Sequence, residues 1–286
     1  MIRPSAACVA VLTALTVVPL GARSQTPPPA SPSPAPTSSP NPIGPALGNN
    51  DPCTSLSSIV TRPSVTNSVC TVRPNHLDVE TGYFNSSGAS GGNSVTYPQT
   101  LIRIGTKIPA LELQIAPPQV ERVSGGGAVV TGSTDVGAGL KYVFGYSPKF
   151  NWGGQAFFTV PTGTNGFSAG GTNATYALNA GYTITPVFSL ATTLATNSLT
   201  NGAERWSSFV PSLVLGASLP GSSGAFVEIA TFSNANGPAS ATRTQYLYGL
   251  YKDLTPRLQV DVSSALSPTV ATGKYHGIGF GLSYYF

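Results

Sequence analysis

Nine ionisable residues, Glu80, Arg103, Glu112, Asp135, Lys141, Glu228, Arg243, Arg257 and Asp261, stand within or beside short segments where polar and apolar residues alternate. Charges set at such intervals all point to one side of an extended strand. Enclosed together, they have two chemistries open to them. They can form a ring of mixed sign that orients and selects solutes, or they can pair with one another and close the space they line. Both readings stand at this point. Acyl-transfer chemistry needs an imidazole beside a nucleophile, and the chain has only His76 and His276. No Ser or Asp can be assigned to either, so no catalytic residue is named, the chain is expected not to be an enzyme, and a lipid hydrolase ranks last among the functions considered.

Cysteine is the other reactive side chain. Cys8 lies within an apolar run near the N-terminus, leaving Cys53 and Cys70 as an even pair in a chain bound for an oxidising compartment. A Cys53 to Cys70 disulfide is expected. A metal centre would need more ligands than the nearby His76, so no metal and no cofactor are expected.

The opening MIRPSAACVAVLTALTVVPLGARS has an early Arg, an uncharged run over 6–18, a Pro-Leu-Gly break and small residues at Ala22 and Ser24. It reads as a signal peptide over 1–24. A linker dense in Pro, Ser and Ala follows over 25–50, a composition that favours extended chain without a core. Residues 51–75 are expected to be a periplasmic segment carrying the disulfide, and 76–286 the folded domain.

Only 8% of residues are charged, while Gly numbers 32 and Pro 26. Beyond the N-terminus no apolar run approaches the roughly 20 residues of a spanning helix. A membrane domain must therefore be built from strands. The net charge of +4 is spread without a basic block, and no nucleic-acid partner is expected.

In TDVGAGLKYVF, Val136, Ala138, Leu140, Tyr142 and Phe144 share one face and Asp135, Gly137, Gly139 and Lys141 lie on the other. RLQVDVSSAL behaves alike, with Leu258, Val260 and Val262 opposite Gln259, Asp261 and Ser263. A soluble sandwich would bury the apolar face and a membrane barrel would turn it to lipid. Three features favour the barrel. Aromatic residues mark strand ends, as at Tyr176, Tyr182, Tyr246, Tyr248, Tyr284 and Phe286. Connections are asymmetric, with tight turns at 184–186 and 254–256 and long loops at 116–133, 161–172 and 233–242. The alternation divides into about twelve strands, an even number that returns both ends of the domain to one side. The predicted fold is thus an all-β, antiparallel transmembrane barrel of the bacterial outer membrane, with its N-terminal segment in the periplasm.

The final YHGIGFGLSYYF sets Ile278, Phe280, Leu282, Tyr284 and Phe286 on one face and stops on the aromatic ring. This resembles the C-terminal signal read by the outer-membrane assembly machinery, which with outer-membrane lipids is an expected partner. Over 133–163, STDVGAGLKYVF followed by QAFFTVPTG resembles the meta-pathway of phenol degradation family of transporter-like outer-membrane proteins. Asp135, Lys141, Pro161 and Gly163 occupy the matching places, and the part before about residue 75 lies outside the resemblance. What the resemblance implies is a barrel that passes small, aromatic or hydrophobic solutes passively. A closed structural or surface-interaction barrel without transport is the alternative. Inward Phe84, Phe157, Phe226 and Tyr251 would either block the lumen or stack on an aromatic solute.

Overall fold

The computed structural model describes residues 51–88, 92–235, 237–238, 240–268 and 275–286. The expected signal peptide and linker lie outside the described residues. Among the described residues a single helical turn, α1 (Leu56–Ile59), precedes fifteen strands: β1 (Leu77–Ser87), β2 (Asn93–Tyr97), β3 (Leu101–Gly105), β4 (Leu111–Ala116), β5 (Val120–Gly125), β6 (Ala128–Ser133), β7 (Val136–Tyr146), β8 (Phe150–Val160), β9 (Asn173–Thr183), β10 (Phe188–Thr200), β11 (Arg205–Leu219), β12 (Ser223–Phe232), β13 (Arg243–Thr255), β14 (Leu258–Ser267) and β15 (Tyr275–Tyr285).

Each strand pairs antiparallel with its neighbours, and β15 closes on β1 with Asp78 opposite Tyr285 and Ser87 opposite His276. Three consecutive pairs each continue one another as one strand with a break in it: β2 with β3, β4 with β5, and β6 with β7, where β7 alone matches the length of β8 and the break lies beyond it. The interruptions fall at Pro98, at Pro117 and Pro118, and at Thr134 and Asp135. Proline has no N–H for the ladder, so it ends pairing where it stands. Cross-links such as Thr134 N–H to the Gln119 carbonyl (2.8 Å) hold the breaks side by side. Counting these pairs as one strand each gives a closed barrel of twelve. The expected loop over 116–133 is instead mostly the β5–β6 hairpin, which extends the wall beyond the break.

The outer face is apolar. Leu178, Val227, Leu250, Ile278 and Phe280 are each more than half exposed, part of an apolar surface of a kind that soluble monomers rarely present. Two aromatic bands flank it, one with Phe150, Trp152, Tyr182, Tyr284 and Phe286, the other with Phe158, Tyr176, Phe209 and Tyr246. Lipid-facing belts of transmembrane barrels have this arrangement. Tight connections at 106–110, 147–149, 184–187, 220–222 and 256–257 lie at the end where β15 finishes, here called the terminal end. The longer connections, including 161–172 and 233–242, lie at the loop end.

Twelve strands enclose more space than wall side chains alone can fill, which happens at about eight, and less than a wide aqueous porin channel of 16–18. Residues 51–75 use that space. Read from sequence as a segment outside the barrel, they are folded into it. Their own small core unites Cys53, Leu56, Ile59, Val60, Cys70 and Val72 with Tyr285 of the wall. Ser55 caps α1, the Cys53–Cys70 disulfide closes the loop between them, and Gly105 allows the Val72 and Arg73 backbone to lie where a side chain would stand.

Candidate functional site: the occupied lumen

The inward charges of β1, β3, β4 and β7 are neighbours through strand register. Asp78 lies opposite Arg103, and Glu112 opposite Lys141. Arg103 is fully buried and binds Glu112 through Nε and Nη2, both at 2.8 Å, and Glu80 through Nη1 at 2.8 Å, with Asp78 at 3.6 Å. The guanidinium fork suits two carboxylates at once.

The same groups grip the inserted segment. Arg103 donates to the carbonyls of Ile59 and Cys70. Glu80 accepts from the Thr61 and Arg62 amides at 3.0 and 2.9 Å, Glu112 from the Val72 amide at 2.8 Å, and Lys141 donates to the Ser68 carbonyl at 2.8 Å. A segment with too little regular structure to satisfy its own backbone thus finds its partners on the wall.

Further around the barrel the attachments thin out. Arg62 lies 3.5 Å from Asp261 and donates to Gln99 and to the Phe280 carbonyl. Glu228 accepts from the Val65 amide at 2.9 Å and from the Thr66 amide at 2.6 Å. Thr193 accepts from the Asn67 amide at 2.8 Å and itself donates to Asn179. Of the nine charges expected to line a lumen, six (Glu80, Arg103, Glu112, Lys141, Glu228 and Asp261) therefore meet the inserted segment or its network.

The other three do not line an open passage. Asp135 sits in the break between β6 and β7 and clasps the 161–172 connection, accepting from the amides of Thr162, Gly163 and Ala169 at 2.9–3.0 Å. Partial burial opposes its ionisation, but these N–H donors and the Ser168 hydroxyl outweigh it and hold the carboxyl below the usual aspartate range. Arg243 lies over the rings of Phe232 and Tyr275, 4.8 and 5.1 Å from their centres. Arg257 is exposed in the 256–257 turn at the terminal end.

The inward aromatics neither block the lumen nor stand free in it. Phe84 lies over Gly277 and Gly279, Phe157 over Gly137 and Gly139, Phe226 over Gly249, and Tyr251 over Gly224, each ring occupying space a Cβ would need. The glycines let the rings lie flat on the wall and leave the centre to residues 51–75.

The outer end of β15 bears Ile278, Phe280, Leu282, Tyr284 and Phe286 on the lipid-facing side, as the alternation requires. His76 stacks on Tyr285 at 5.3 Å and bonds the Pro74 carbonyl, while His276 is exposed on β15.

No known family profile matches the chain, and no curated protein matches its sequence. Solved structures do match. An outer membrane channel from Pseudomonas putida F1 superposes with TM-score 0.56 at 12% identity, covering 76% of this chain and 97% of that one. The NanC porin gives 0.52 at 11%, covering 73% and 98%, and the KdgM porin in complex with disordered oligogalacturonate gives 0.50 at 11%, covering 72% and 99%. The likeness is one of fold: an outer-membrane β-barrel.

Sequence reasoning found the buried charges but missed their partners. Arg62, Thr66 and Asn67 lie in a segment placed elsewhere, and Thr193, Ser212 and Asn179 carry no charge to draw notice. Their one available signal is strand period, which turns all three inward with Ala177, Ala195 and Val210.

Proposed function

We propose that the protein is an outer-membrane channel for passive passage of small solutes, with the terminal end in the periplasm and residues 51–75 as a lumen plug. The observation that carries this reading is that the plug does not fill the lumen. Cavities of 270, 330 and 330 Å³ remain around it, bounded by plug and wall together. A barrel serving only as a scaffold gains nothing from unfilled interior, since voids forfeit packing.

The resemblance over 133–163 to the meta-pathway of phenol degradation family supports membership in that group of barrels and favours small aromatic or hydrophobic solutes. The apolar face ending at Phe286 supports delivery by the assembly machinery, with outer-membrane lipid as the surrounding partner. The reading involves no enzymatic step.

The Arg103 network favours a second reading, a closed structural barrel, because paired buried charges fix the plug firmly on one side. Swelling of liposomes carrying the refolded full chain separates the two. A channel admits small sugars or aromatic acids faster than empty vesicles do. A closed barrel leaves the rates equal.

A further inference from the structure

Two of the cavities meet at the tip of the plug. The outer one, 330 Å³, lies towards the loop end between Val65 and Asn67 and the inward residues Thr175, Ala195, Asn197 and Val210, and it reaches the rim at Leu199 and Ala235. The inner one, 270 Å³, lies towards the terminal end and runs past Asn151, Gly181, Ala191 and Gly216, with Arg62 and Lys149 also on its lining. Asn67 lines both. The tip is therefore the partition between two spaces that follow the same stretch of wall, β9 to β11.

The tip is held by few bonds. Thr193 accepts from the Asn67 amide, Glu228 from the Val65 and Thr66 amides, and the Thr66 hydroxyl donates to Ser212 or Glu228. Within it, the Ser64 hydroxyl bonds the carbonyls of Thr61 and Thr66, so the turn holds its shape by itself. The base of the plug, by contrast, carries the disulfide and the Arg103 network. A small displacement of the tip on this fixed base would join the cavities.

The lining identifies the solute. Among the described residues no ionisable side chain lines the outer cavity, which offers hydroxyl and amide groups from Thr175, Thr193, Asn197 and Ser212 set among Ala195 and Val210. Such a wall cannot replace the hydration of an ion, but it can exchange hydrogen bonds with a neutral molecule. Its volume is at the lower end of small-molecule pockets, about 300–1,000 Å³.

We propose that residues 64–67 are the gate of a solute path along the β9–β11 wall, and that the uncharged cavity on its loop-end side binds small, uncharged, hydroxyl-bearing solutes. This rests on the channel reading above and specifies where its path runs and what it takes.

The test is liposome swelling with the refolded full chain, comparing erythritol with its charged counterpart erythronate. Barrel folding is checked for each variant by its heat-dependent gel mobility. Erythritol should enter several-fold faster than erythronate. Glu228→Ala, which frees the tip, should raise erythritol entry about tenfold. Ala195→Trp, which fills the outer cavity, should abolish it, whereas Gln119→Trp, in the 330 Å³ cavity on the opposite side of the plug, should leave it unchanged. Erythritol entry that survives Ala195→Trp, or that Gln119→Trp stops, overturns the path while the channel reading stands. Equal entry of the charged solute overturns the assigned solute class. No erythritol entry through either the wild type or Glu228→Ala overturns the gate, and the channel reading falls with it when aromatic acids are excluded as well.

Discussion

The two sides of the lumen treat the same inserted segment differently. On β1, β3, β4 and β7 it meets Glu80, Arg103, Glu112 and Lys141, all bonded to its backbone, with Arg103 bonded in addition to Glu80 and Glu112. On β9 to β11 its tip meets Thr193 and Ser212, with Glu228 of β12 beside them. Charged groups buried in a network are costly to separate, because each would be left without its partner. Neutral hydroxyls exchange partners at little cost, since a net hydrogen bond is worth about 1 kcal/mol. One wall therefore anchors and the other can yield, although both look equally polar in composition.

The largest expected effect tests the anchoring wall. Arg103→Ala leaves three carboxylates, Asp78, Glu80 and Glu112, without their shared cation and should cost about 3–5 kcal/mol. Urea unfolding of the barrel in detergent would read it as a lowered midpoint, with Arg103→Lys recovering part of the loss. If the midpoint stays at the wild-type value, the network is not the anchor.

Replacing both cysteines, Cys53→Ser with Cys70→Ser, should act locally. A bridge closing a loop of about 15 residues contributes about 3 kcal/mol by constraining the unfolded chain. Amide exchange should speed up across 54–69 while β9 to β14 keep their protection. Loss of protection throughout the barrel would show that wall and plug fold as one unit.

Thr193→Val tests the yielding wall: it removes the bonds to Asn67 and Asn179 and should cost about 2 kcal/mol, with faster exchange among the plug amides confined to the tip. A cost equal to that of Arg103→Ala would erase the distinction between the walls.

These contrasts also show where sequence reading succeeds. The alternation of Leu140, Lys141 and Tyr142, or of Val260, Asp261 and Val262, follows from a wall with lipid outside and polar contents inside, and it is legible because each strand repeats it. The terminal-end turns at 184–187 and 256–257 are marked by Thr-Pro and Thr-Pro-Arg. The position of residues 51–75 was not legible. Nothing local in that segment encodes the wall carboxylates that hold its amides, which lie up to 163 residues away along the chain. Likewise nothing local marks the β5–β6 hairpin as paired strand, because residues on both its faces are exposed and burial imposes no alternation on it.

The smallest effect concerns a site outside both walls, and it gives the comparison a neutral reference. Asp135 holds the 161–172 connection through three backbone amides that favour its ionised form. Its folded pKa is depressed, so the clasp is complete above the unfolded value of about 3.9 and is lost as pH falls through the lower folded value. Protection of the Thr162, Gly163 and Ala169 amides should persist to below pH of about 3.9 and then fall, with a contribution under about 1 kcal/mol because solvent reaches the carboxylate. Asp135→Asn keeps one acceptor oxygen and should lose part of that protection at every pH, with no acid transition. Plug protection at 61–72 should not change with it, since none of those three amides touches the plug. A parallel change there would mean that the loop end and the lumen are coupled, and the gate would then have a handle on the outer surface.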